Sequence, residues 1–67
     1  MELSARNQLK GTITNVKLGQ VMAEVTMKVG DNEIVSVITR SSVERLGLKV
    51  GDSATAIIKS TEVIIGK

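Results

Sequence analysis

Between Val21 and Val29 the odd positions hold Val21, Ala23, Val25, Met27 and Val29, while Met22, Glu24, Thr26 and Lys28 fill the even ones. A period of two sends alternate side chains to opposite faces, so residues 21–29 predict a half-buried strand. Before it, Leu9, Gly11 and Ile13 share one face of a weaker strand over residues 9–16, in which Gly11 suggests a bulge or a close backbone approach. Lys17-Leu18-Gly19-Gln20 supplies the intervening turn. Gly30-Asp31-Asn32 is a second turn, because Gly and short Asx side chains tolerate positive φ, and it leads into a third strand over residues 33–38. That strand alternates poorly. Ile34 and Ile38 point to one face and Val35 and Val37 to the other, so both faces ask for cover, from the core or from another chain.

Ser41-Ser42-Val43-Glu44 has capping-box spacing, with the Ser41 hydroxyl capping a free helix N–H and Glu44 reaching back to the cap residue. Gly47 fits a left-handed stop, which leaves a helix of one or two turns over residues 42–46, with Val43 and Leu46 facing the core. Val50-Gly51-Asp52 turns the chain again; residues 53–59 read as a fourth strand and residues 63–65 as a fifth. Three strands, a short helix and two strands is the order of the OB-fold, an all-β, five-stranded Greek-key barrel with one helix between strands 3 and 4. An open antiparallel sheet and a small SH3-like barrel have nearly the same order.

Length adds a constraint. The chain has 67 residues and no compositional break, so residues 1–67 read as one domain. A chain this short buries only ~60% of the surface it exposes when unfolded, and small domains usually need a staple. Cys and His are both absent, which removes disulfides and thiolate or imidazole metal sites and leaves assembly with further copies. Apolar residues make up 42% of the chain and none is aromatic, so Val, Ile, Leu, Met and Ala must build the core. The net charge of +2 comes from nine basic and seven acidic residues scattered along the chain, too weak for a polyanion-binding surface. With no signal-like leader and no apolar run of transmembrane length, a cytoplasmic location and no membrane contact are expected.

The chemistry available is that of binding, not catalysis. No Cys or His can serve as nucleophile or base, and the one adjacent Ser–Lys pair, Lys59-Ser60, would point to opposite faces of a strand. Glu2, Glu24, Asp31, Glu33, Glu44, Asp52 and Glu62 do not cluster at a metal-ligand spacing, and no Gly-rich phosphate loop is present. Neither an enzyme nor a resident cofactor or metal is expected. Nucleic-acid sites on OB-like barrels rely on aromatic side chains worth about 1–3 kcal/mol per stacked base, and this chain has none.

An oxyanion fits better, because a tetrahedral dianion carries only acceptors and asks for converging N–H and O–H donors with one or two cations. Ser4-Ala5-Arg6-Asn7-Gln8 is a donor-rich stretch without an acid; Thr39 and Ser42 bracket the start of the helix; Lys59-Ser60 adds a cation and a hydroxyl. Arg6 offers a planar fork and Lys59 a point charge. Charge-assisted bonds of about 1.5–3 kcal/mol net each, summed over several donors, reach the ~8 kcal/mol of micromolar binding. The competing role for Arg6 and Lys59 is that of surface cations paired with nearby acids.

Ser4-Ala5-Arg6-Asn7-Gln8-Leu9-Lys10-Gly11, Ile38-Thr39 through Ser42 with Leu46-Gly47, and Ile58-Lys59-Ser60-Thr61 together resemble the molbindins, small molybdate-binding proteins made of one Mop or TOBE domain. The resemblance runs from Ser4 to Ile65. It implies an OB-like fold, assembly into homo-oligomers of the hexamer type, and reversible binding of molybdate or the nearly isosteric tungstate at subunit interfaces, in storage or homeostasis. By the same resemblance Ser4 and Arg6 come from one subunit, and Thr39, Ser42, Lys59 and Ser60 from its neighbour. Asn7, Gln8 and Lys10 are candidate donors for a second class of oxyanion site. The alternatives left open are an OB-like nucleic-acid-binding module and a purely structural assembly domain.

Overall fold

In the computed structural model, which describes residues 1–67, the alternating segment forms β2 (Met22–Val29), preceded by β1 (Asn7–Leu18) and followed by β3 (Asn32–Thr39). Helix α1 (Arg40–Leu46) and strand β4 (Ser53–Ile58) follow, and a 3-10 turn spans Ser60–Glu62. The four strands form one antiparallel sheet in the order β3-β2-β1-β4. β1 is the long shared strand. Its first half pairs with β4, from Asn7 opposite Ile58 to Thr12 opposite Ser53, and its second half pairs with β2, from Thr12 opposite Lys28 to Leu18 opposite Ala23.

Gly11 lies where β1 passes from one partner to the other. A Cβ there would collide with the Lys28 carbonyl oxygen and stand 2.8 Å from Val29 Cγ2, so the close backbone approach is real. The bulge falls instead between Ile13 and Asn15, where the register with β2 shifts. Ile13, Ala23, Val25, Met27 and Val43 make up the buried core, with Val16, Ile34, Ile38, Leu48, Ala54 and Ala56 packed around it. The odd positions 23, 25 and 27 of β2 thus face inward, as their alternation predicts. Val35 and Val37, on the other face of β3, are 58% and 64% exposed.

The helix starts earlier than its sequence signal. Thr39, not Ser41, is the N-cap: it is the last extended residue of β3, and its Oγ1 accepts from the Ser42 N–H at 3.1 Å. Counting from Thr39 puts Ser42 at the third helical position, so Ser41 and Glu44 do not form the expected box. Glu44 lies 3.9 Å from Arg40 Nε, one turn back. Gly47 closes the helix at φ 64°, its N–H and that of Leu48 returning to the Glu44 and Val43 carbonyls.

The fifth strand does not form. β4 stops at Ile58, one residue short of the expected end; the 3-10 turn follows, and residues 63–67 have no regular structure. Residues 63–67 pair with neither edge, so the sheet stays open with β3 and β4 as its two edges. Between the edges runs an apolar trough of about 660 Å³ whose walls include Ile34, Ile38, Leu48, Ala54 and Ile58. Only five of 67 residues are buried, the shortage of core that the chain length implies.

Candidate functional site

Pairing of β1 with β4 brings the first and last donor motifs together. Asn7 stands opposite Ile58, and the Asn7 Nδ2 donates to the Ile58 carbonyl at 3.2 Å, so Arg6 and Lys59 leave the sheet from neighbouring backbone positions. Gln8 Nε2 donates to the Ala5 carbonyl at 2.7 Å, tying residues 4–6 back onto the start of β1. Arg6 and Lys59 are exposed, and neither meets a carboxylate: the ion pair in the chain joins Arg40 to Glu44. The reading of these two cations as members of surface salt bridges therefore finds no partner.

Lys59 caps the 3-10 turn and Ser60 opens it. With the strand already ended, the alternation that would send their side chains to opposite faces no longer applies. The Lys59 and Ser60 carbonyls accept from the Glu62 and Val63 N–H groups at 2.9 and 3.4 Å, which leaves both side chains uncommitted.

The third motif sits at the junction of β3 and α1. Thr39 Oγ1 and Ser42 Oγ share a hydrogen bond of 2.7 Å, and Ser41 Oγ donates to Thr39 Oγ1 at 3.3 Å. Three hydroxyls and a backbone N–H thus crowd together at one point. Thr39 and Ser42 meet as expected, but Thr39 also holds the helix cap. Ser41, assigned only a capping role from the sequence, belongs to the same hydroxyl cluster; the signal is three hydroxyl residues within four positions. Ile38 and Ile58 line the same trough, so the motifs that follow each of them lie at its margin.

Asn7, Gln8 and Lys10 do not form a comparable cluster. Asn7 and Gln8 already spend amide hydrogens on backbone carbonyls, and Asn7 alternates to the face opposite Gln8 and Lys10 on β1. What the arrangement provides is a set of hydrogen-bond donors and cations, suited to holding an anion.

Comparison with known proteins agrees with this donor chemistry. Residues 3–65 match the TOBE domain. The chain is 52% identical over 66 residues to molybdenum-pterin-binding protein 1 of Clostridium pasteurianum, with 97% of each chain covered. A molybdate-binding protein from Sporomusa ovata has the same fold, at a TM-score of 0.95 and 40% identity over the full length of both chains. The cytoplasmic molybdate-binding protein ModG matches at a TM-score of 0.90 and 48% identity, over 96% of this chain and 46% of its own. With its donor motifs, open OB-like sheet and near-complete overlap with these proteins, the chain belongs to the TOBE domain family, in the Mop or molbindin group.

Proposed function

We propose that this protein binds molybdate reversibly in the cytoplasm, as a store or buffer, and releases it unchanged. The observation that carries the reading is that Arg6 and Lys59 are both exposed cations outside any ion pair, each with a hydroxyl residue close by in the chain, Ser4 and Ser60. Tungstate, nearly isosteric, is a second ligand of the same site. The location follows the cytoplasmic relative ModG, and no helix of the chain is long and apolar enough to cross a membrane.

The proposed site is shared between copies in a homo-oligomer, a hexamer in the family pattern. Ser4 and Arg6 serve from one copy and Thr39, Ser42, Lys59 and Ser60 from its neighbour. The exposure of every one of these side chains except the half-buried Ser42 supports that reading, because a single chain encloses none of them. Asn7, Gln8 and Lys10 are proposed as donors for a second class of oxyanion site only between copies, since on one chain they divide between the two faces of β1. A nucleic-acid role has no aromatic platform to rest on.

Calorimetric titration with molybdate, tungstate, sulfate and phosphate tests the proposal. Saturable binding of molybdate and tungstate with weak or absent sulfate binding is expected. No saturable molybdate binding, or sulfate binding of equal strength, would overturn it.

A further inference from the structure

Arg40 follows Thr39 at the point where β3 gives way to α1, and it is tied twice to the turn between β1 and β2. Its backbone N–H donates to the Val21 carbonyl at 2.8 Å, one residue beyond the last pair of the β2–β3 ladder, Met22 with Thr39. Its guanidinium donates from Nη1 to the Gly19 carbonyl at 3.3 Å, across 21 positions of sequence, and Glu44 lies 3.9 Å from its Nε. The turn has little slack: Gly19 N–H donates to the Met22 carbonyl at 2.8 Å, and a Cβ on Gly19 would stand 2.8 Å from that same oxygen. Gln20, Val21, Thr39, Arg40, Ser41 and Glu44 line a small, mostly polar cleft of about 280 Å³ where turn and helix meet.

We propose that Arg40 is a positioning residue for the oxyanion site: it fixes the junction of β3 and α1, and with it the directions of the Thr39 and Ser42 hydroxyls, without touching the anion itself. The inference rests on the reading of Thr39 and Ser42 as anion donors. Thr39 Oγ1 holds the Ser42 N–H at 3.1 Å and shares a 2.7 Å bond with Ser42 Oγ, so the two hydroxyls move with the first turn of the helix. A helix of seven residues is too short to hold its place by itself, and its position depends on contacts outside it. Val43 anchors its inner side in the core, and Arg40 anchors its start to the turn.

The charge of Arg40 is already engaged. Glu44 offsets it and the Gly19 carbonyl takes one of its N–H groups, whereas Arg6 and Lys59 stand outside any ion pair. The two unpaired cations are the ones left to neutralise a dianion, and Arg40 serves the site through the backbone it holds.

Variants of the full chain test the assignment. Before any anion is added, amide exchange of Ser42, whose N–H is held by Thr39 Oγ1, should be roughly fivefold faster in Arg40→Ala than in the unsubstituted chain. Calorimetric titration with molybdate should show affinity lower by roughly fivefold in Arg40→Ala, about the loss of one hydrogen bond. Arg40→Lys keeps the reach, the charge and a donor for the Gly19 carbonyl, and should regain most of the affinity. Glu44→Ala should also weaken binding and should add nothing to Arg40→Ala in the double variant, because both act through one set of contacts. A direct role for the Arg40 charge predicts the opposite sign, since removing a carboxylate beside a ligand cation tightens dianion binding; tighter binding in Glu44→Ala would overturn the proposal. Unchanged Ser42 exchange or unchanged affinity in Arg40→Ala would do the same. Gly30→Ala, strained at φ 59° in another turn, should bind as the unsubstituted chain does; a drop equal to that of Arg40→Ala would trace the effect to lost stability and also overturn the role. Absence of molybdate binding by the unsubstituted chain would overturn the functional reading and the role of Arg40 with it, whereas normal binding there beside unchanged affinity in Arg40→Ala would overturn the role alone.

Discussion

Replacing Gly11 with Ala probes the tightest backbone contact in the fold. The added Cβ would overlap the Lys28 carbonyl oxygen, approach Val29 Cγ2 at 2.8 Å and the Lys28 carbonyl carbon at 3.1 Å. Two of these atoms belong to the backbone, so no rotamer change relieves them; β1 and β2 must separate where β1 changes partners. Overpacking of this kind costs about 1–3 kcal/mol, and the reduced entropy of the unfolded chain returns about 0.4–1 kcal/mol. A net loss of about 1–2 kcal/mol is expected. For 67 residues the whole stability is ~3–10 kcal/mol at 0.05–0.15 kcal/mol per residue, so the loss is a large share. Urea unfolding reads it directly. At a slope of about 1 kcal/mol per molar the midpoint should fall by ~1–2 M, at fixed protomer concentration because assembly makes stability concentration-dependent. Gly66→Ala, with nothing within 4 Å, is the neutral control. Gly30→Ala, also in open space but at φ 59°, isolates the left-handed penalty of about 1–2 kcal/mol. A Gly11→Ala midpoint equal to that of Gly66→Ala would refute the contact argument.

Thr39→Ala should lower stability by about 1 kcal/mol through loss of the helix cap, while Thr39→Ser retains it, as thermal melting followed by circular dichroism will record. Arg6→Ala and Lys59→Ala should each weaken molybdate binding by about 2 kcal/mol, roughly 30-fold, in calorimetry, because each leaves a partly enclosed dianion short of charge. Unchanged affinity in both variants would mean that other cations hold the anion. Molybdate at 100 times its Kd should add about 2.7 kcal/mol to stability, measured as a rise in Tm, whereas a purely structural domain would gain nothing. The chain has no His, the one side chain whose ordinary titration falls between pH 5 and 8, so molybdate affinity should stay within about threefold from pH 6 to 8. A steep titration near pH 6.5 would contradict this.

Features set by neighbours along the chain are legible in the amino-acid order. The alternation of residues 21–29, the turns at Gly30 and Gly51 and the left-handed stop at Gly47 each arise from local backbone preference or a period of two. The donor motifs are legible for a related reason: a cluster of hydroxyls, amides and cations without an acid states its chemistry by composition. The helix cap is not, because two hydroxyl residues compete for it, and the end of β3 decides in favour of Thr39. Which cations stand together is equally hidden, since 51 positions separate Asn7 from the Ile58 carbonyl it contacts.

Amino-acid order is thus enough to specify a small, mostly β chain, rich in oxyanion donors and too short to enclose a large core. Only the folded arrangement shows that β1 divides its partners between β2 and β4, that Asn7 and Ile58, the neighbours of Arg6 and Lys59 in the chain, therefore pair, and that residues 63–65 have no strand partner within the chain. The division has a physical cause. Periodicity and capping are satisfied within a few residues, whereas strand pairing depends on which edge is free after the rest of the sheet has formed.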